Sequence, residues 1–95
     1  MDISLETLEE NDGEYHTEKS FLVFLDYRFN AIYVDVLTTN ADVFYKILNR
    51  NGQLLQENYH LSKRNKISLD PFPSDLYIIE VSDGIHTITK KILRF

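Results

Sequence analysis

At 95 residues, with 43% apolar and 13% aromatic content, the chain has the material for one globular domain with a single two-layer core and is too rich in core formers to be disordered. The absence of cysteine removes disulfides, thiolate metal sites and cysteine nucleophiles together. Of the net charge of −5, residues 1–18 carry −7 with no lysine or arginine and residues 19–95 carry +2, a balance that argues against nucleic acid as a partner, because phosphate binding needs a basic face.

In chain order, residues 1–19 form an acidic arm or edge strand. "ISLETL" (3–8) fits a short strand, "EENDGEYHTEK" reads as an exposed loop carrying Gly13, and the acid-rich stretch also fits the start of a short helix. From residue 20 onward period two dominates. "SFLVFLDY" (20–27) is a continuous apolar run suited to a strand near a sheet centre. "AIYVDVLT" (31–38) alternates, with Ile32, Val34 and Val36 facing one side and Tyr33 and Asp35 the other. Turn formers in "TNAD" end it.

"VFYKILNRNGQLLQENYHL" reads as a hairpin around Arg50-Asn51-Gly52. A three-residue loop puts Gly52 in the left-handed bulge position. It sets Ile47 against Leu55 and Val43 against Tyr59, all on one face. A two-residue Asn-Gly turn instead sets Lys46 against Glu57; the three-residue loop is preferred because it gathers the apolar residues. "ISL" (67–69) is a short strand with Ile67 and Leu69 inward. "DPFPSD" cannot enter a sheet interior, since proline lacks the ladder donor. Tyr77, Ile79 and Val81 then alternate inward, Asp83-Gly84 turns the chain, and "HTITKKILRF" (86–95) returns. The adjacent Lys90 and Lys91 break its alternation and predict a bulge or an edge position.

The fold class predicted is all-β: an immunoglobulin-like two-sheet antiparallel sandwich of about seven strands, residues 20–95 forming its body, with a small barrel as the alternative.

No motif announces a chemistry. His16, His60 and His86 lack metal-ligand spacing, and "NDG" (11–13) lacks the alternating oxygens of a calcium loop. No serine sits in a nucleophile elbow, and Asp70, Asp75, Asp83 and Glu80 read as turn or surface carboxylates. The reading is therefore a non-enzyme without a cofactor. Lys63, Arg64 and Lys66, with Lys90, Lys91 and Arg94, make the nearest approach to a basic patch, best read as a solvated loop and a charged edge strand. Tyr33 and Phe44, facing away from the first core, and Lys90 and Lys91 on the last strand are the side chains placed to meet a partner. That partner is an unknown protein or glycan, and the chain is a monomer or a weak dimer paired through edge strands. No apolar run is long enough to span a membrane, and "MDISLETLEEND" is no signal peptide.

From Val43 the order "YKILNRNGQLLQE", "KISLDPFPSDLYIIEVSDG" and "ITKKILRF" resembles a small secreted β-sandwich family of unknown function from Bacteroides and relatives. It is similar, too, to the C-terminal sorting domains of type IX secretion cargo. Both have an Asn-Gly-type hairpin, a short strand, an "LPxGxY" corner and a final lysine-bearing strand. Phe72-Pro73-Ser74-Asp75-Leu76-Tyr77 stands at that corner, with Asp75 where the pattern has glycine. The resemblance implies a protein exported to the periplasm or cell surface, made with a leader that this sequence does not include; composition alone leaves a cytoplasmic location open. It carries over no catalytic residue. Two functions follow: first, an envelope module that binds a protein or glycan; second, a sorting domain whose last strand, "TKKILRF", is read by secretion machinery.

Overall fold

In β2, β3, β4, β7 and β8 buried and more exposed positions largely alternate, and this sorts their inward side chains into one shared core. The structure, a computed structural model, describes residues 13–39 and 41–94. Its eight described strands are β1 (Gly13–Thr17), β2 (Phe21–Asp26), β3 (Ala31–Val36), β4 (Phe44–Asn49), β5 (Leu54–Asn58), β6 (Arg64–Ser68), β7 (Asp75–Ser82) and β8 (Thr87–Arg94). They form two antiparallel sheets with strand orders β1-β2-β3-β6 and β5-β4-β7-β8. The short dimension of the molecule, 19 Å, is that of two sheets about 10 Å apart with side chains on their outer faces. The predicted two-sheet sandwich is the fold. The loop expected around Gly13 is instead β1, paired with β2 from Gly13↔Asp26 to Thr17↔Leu22. The reading of residues 3–8 lies outside the described residues.

The core is the sum of the inward parities. Phe21, Val23 and Leu25 of β2 meet Ile32 and Val34 of β3 and Ile67 of β6. The other sheet supplies Tyr45, Ile47, Tyr77, Ile79, Val81, Ile88 and Ile92. Val36 is half-buried and packs against this cluster. Each fully buried aliphatic side chain contributes about 1.5–3 kcal/mol, so the predicted triplets on β3 and β7 are principal sources of stability.

The hairpin β4–β5 departs from expectation. Its loop is the predicted one: Asn49 N–H donates to the Gln53 carbonyl at 2.9 Å, and Gly52 has φ +83°. The predicted register, however, survives only beside the loop. A shift between Ile47 and Leu48 leaves Leu48 against Leu54 and then Ile47 against Gln56 and Lys46 against Glu57. One extra residue on β5 turns its side chains over. Ile47 is buried, while Leu55 and Tyr59 are exposed, and Tyr59 stacks on Phe44 on the outer face with centroids 4.8 Å apart.

The two prolines set the corner between sheets as predicted. Leu69 N–H donates to the Asn30 carbonyl at 2.7 Å, and Phe72 N–H to the Leu69 carbonyl at 2.9 Å, so the chain leaves one sheet in a fixed turn. The Tyr77 hydroxyl donates to the Pro73 carbonyl at 2.5 Å, and its ring lies 5.2 Å from that of Phe72. Among the described strands β8 lies at an edge, one of the two predicted outcomes of the lysine pair. It has no bulge: its register with β7 is continuous from Asp75↔Arg94 to Ser82↔Thr87.

Candidate functional site

Three surfaces concentrate polar and aromatic groups. On the outer face of β1-β2-β3-β6, alternation places Leu22 and Phe24 beside Tyr33 and Asp35. Phe24 and Tyr33 are directly opposed and stack at 6.2 Å with an 18° interplanar angle. Asp35 is opposed to Arg64 across the β3–β6 pairing, which brings together strands far apart in sequence. Arg64 Nε and Nη2 donate to the two Asp35 carboxylate oxygens at 2.9 and 2.7 Å, and its guanidinium lies 5.8 Å from the Tyr33 ring centre. Asp35 therefore holds the Arg64 pKa above its ordinary value. Leu22, Phe24, Tyr33 and Arg64 line a shallow depression of about 280 Å³. The ring pair offers an aromatic surface, while the Nε and Nη2 donors of Arg64 are taken up by Asp35.

At the end where β2 begins, a polar clasp ties the sheets. The Ser20 hydroxyl donates to Asp83 Oδ2 across 63 positions of sequence. Asp83 Oδ1 accepts from Ile85 N–H at 2.8 Å and His86 N–H at 2.6 Å. The backbone donor of His86, then the Ser20 hydroxyl, then the Ile85 donor hold this carboxyl well below the usual carboxylate range. Ser20 and Asp83 do not form a nucleophile–base pair. The serine serves the carboxylate directly, and His86 Nδ1 lies 3.5 Å from the same oxygen that Ser20 occupies. The clasp is structural. Beside it, Val36, Leu37, Thr38, Thr39, Ala41 and Leu61 wall a depression of about 300 Å³, and all of these except Val36 lie in loops.

The third surface is the edge of β8. Asp83 N–H donates to the His86 carbonyl at 3.1 Å, which makes 83/86 a hydrogen-bonded pair. Antiparallel pairs alternate, so residues 88, 90, 92 and 94 turn their backbone groups toward β7. Thr87, Thr89, Lys91 and Leu93 therefore turn theirs away from it, and these four also have exposed side chains.

The four predicted side chains do not converge. Tyr33 lies on one outer face. Phe44 and Lys91 lie on the other, on strands separated by β7, and Lys46 Nζ is 5.9 Å from the Phe44 ring centre. Lys90 opposes Ile79, on the inner parity of β8, and is half-buried. Arg64 was legible as part of a basic stretch, but its pairing with Asp35 was not. The predicted basic residues divide between β6 and β8, edge strands of different sheets, and do not form one patch. Among the described residues, no three histidine or acidic side chains gather as a metal site, and no helix is long and apolar enough to cross a membrane.

Two four-stranded antiparallel sheets joined by crossing loops and a proline corner define an immunoglobulin-like sandwich. A solved structure has this fold: a DUF3244 family protein from Bacteroides vulgatus with an immunoglobulin-like β-sandwich, similar to this chain with a TM-score of 0.69 and 19% identity, over 88% of this chain and 97% of the other. Residues 29–94 match the secretion system C-terminal sorting domain family, and the chain belongs to that family. The match starts at Phe29, well before Val43, and takes in β3 through β8. No curated protein matches the chain.

Proposed function

We propose that the chain is the sorting domain of an exported protein and that its final strand is the part read by secretion machinery. The observation that carries this reading is the family match, which runs to Arg94 and so includes the whole of β8 at a sheet edge. Of the two functions drawn from sequence, it supports the second. A sorting domain needs a rigid body that presents an accessible segment, and an edge strand with outward backbone groups meets that need. No reacting side chain is required of it.

The test is a periplasm-directed reporter fused ahead of residues 1–95 in a host with type IX secretion. Export of the reporter, lost when residues 87–95 are removed, supports the reading. Retention in the periplasm, while the same reporter on an established sorting domain is exported, overturns it.

The envelope-binding reading has one observation in its favour, the ring pair Phe24–Tyr33 under Arg64. Capture of a specific envelope component by the protein, lost in Tyr33→Ala, supports it; capture unchanged in that variant removes Tyr33 from it.

A further inference from the structure

Two turns between described strands place a glycine after asparagine or aspartate: Asn51-Gly52 between β4 and β5, and Asp83-Gly84 between β7 and β8. With no side chain on the glycine to shield it, its backbone nitrogen can reach the terminal carbonyl carbon of the preceding side chain. Bond formation there closes a five-membered imide. Both glycines have positive φ, and a Cβ at either would meet nothing within 4 Å, so space does not separate the two turns. The bonding of the preceding side chain does.

At Asp83 the carbon under attack is protected. Oδ1 accepts from the Ile85 and His86 N–H groups at 2.8 and 2.6 Å, and Oδ2 accepts from the Ser20 hydroxyl. These donors keep the carboxyl ionised, and an ionised carboxylate offers no leaving group. Asn51 is the opposite case. It is exposed, and among the described residues its side-chain amide has no hydrogen-bond partner. The turn is braced instead by Asn49, whose Oδ1 accepts from the Asn51 and Gln53 N–H groups, both at 2.9 Å, and whose Nδ2 donates to Gln53 Oε1 at 2.7 Å. Asn65 is held in the same way: Nδ2 donates to the Val34 and Ser62 carbonyls and Oδ1 accepts from the Ser62 N–H. Of the described asparagines, Asn51 alone precedes glycine.

We infer that Asn51 is a self-modification site, its amide converted in the folded protein to aspartate and isoaspartate through attack by the Gly52 nitrogen. The Gly52 N–H donates to the Asn49 carbonyl at 2.9 Å, and the reaction begins when local fluctuation of this exposed loop opens that bond. Hydroxide takes the Gly52 amide proton and becomes water. The nitrogen bonds to Asn51 Cγ, the Cγ–Nδ2 bond breaks, and Nδ2 leaves as ammonia with a proton from that water, which restores hydroxide. A second water then opens the imide at either carbonyl. Opening at Cγ leaves an aspartate on the ordinary backbone. Opening at the main-chain carbonyl carbon routes the backbone through Cβ and Cγ and so lengthens the loop. Nothing is oxidised or reduced. The product carries a new negative charge beside Arg50, whose Nε lies 3.5 Å from Asp75 Oδ1. The inference is independent of the sorting reading, because purified protein reports it without secretion machinery.

The experiment holds the folded full chain and a guanidinium-denatured sample at mildly alkaline pH, then follows peptic peptides by mass spectrometry and isoaspartyl methyltransferase labelling. In the folded protein the peptide containing residue 51 should gain one mass unit, at a rate proportional to hydroxide, and should take up the isoaspartyl label. The other described asparagines should stay intact over the same period. Asn51→Gln, whose ring would have six members, should lose the change while melting with the parent, and Gly52→Ala should slow it severalfold. At mildly acidic pH the denatured sample should form isoaspartate at position 83 and the folded protein should not. An Asn51 that stays intact in the folded protein while reacting in the denatured one overturns the inference. So does earlier change at another described asparagine, or isoaspartate at 83 forming as fast in the folded protein as in the denatured one.

Discussion

Asp83 is the side chain on which both sheets depend. It accepts two backbone N–H groups from its own hairpin and the hydroxyl of Ser20 from the opposite sheet, and those donors favour the charged form. The folded pKa is therefore depressed. The stabilisation this confers is fully present above the unfolded value of about 4 and is lost as pH falls below it toward the folded value. Urea midpoints measured against pH should fall through that window, and Asp83→Asn should flatten this part of the slope while lowering stability at neutral pH. Tyr77 makes a second long reach. Tyr77→Phe keeps the ring against Phe72 but leaves the Pro73 carbonyl without its donor, at a cost of about 1 kcal/mol in denaturant unfolding. At Gly52, φ is +83° with open space around a Cβ, so Gly52→Ala should cost about 1 kcal/mol through backbone strain alone.

The strands themselves were largely legible, and the exceptions have definite physical causes. Ile32 and Val34, Tyr77, Ile79 and Val81, and the turns at Gly52 and Gly84 follow from local rules of alternation and backbone freedom, which neighbouring strands do not alter. The register of β5 does not follow from such rules. The predicted turn was right, but one extra residue a few positions beyond it exposes Leu55 and Tyr59, and both parities of "LLQENY" offer an apolar residue. The pairing of Asp35 with Arg64 depends on β3 lying beside β6, a neighbourhood that no local pattern encodes. The same long-range placement scattered Tyr33, Phe44, Lys90 and Lys91. Strand β8 makes the parity argument testable with proline. Thr89 turns its N–H away from β7, so Thr89→Pro should melt close to the parent. Ile88 turns its N–H into the ladder, so Ile88→Pro should melt well below it.

Across the described residues, the sandwich leaves three kinds of surface: an aromatic–arginine face, an opposite face with Phe44 stacked on Tyr59, and the edges of the two sheets of described strands. Family membership draws attention to the edge formed by the final strand, and the reporter fusion asks whether that strand is what an export system reads. The distribution of charge bears on the same edge. An acidic lead-in and a basic last strand sit on one chain.

The Ser20–Asp83 clasp also fixes a sequence of events in time. Its partners are 63 positions apart, and strand β8, which covers β7 and completes the core with Ile88 and Ile92, is made last. A ribosome delivers β2 and β3 long before anything exists to lock them against the other sheet. Until the closing hairpin emerges, the earlier strands have no finished partner layer, and the chain remains open to whatever escorts newly made polypeptides.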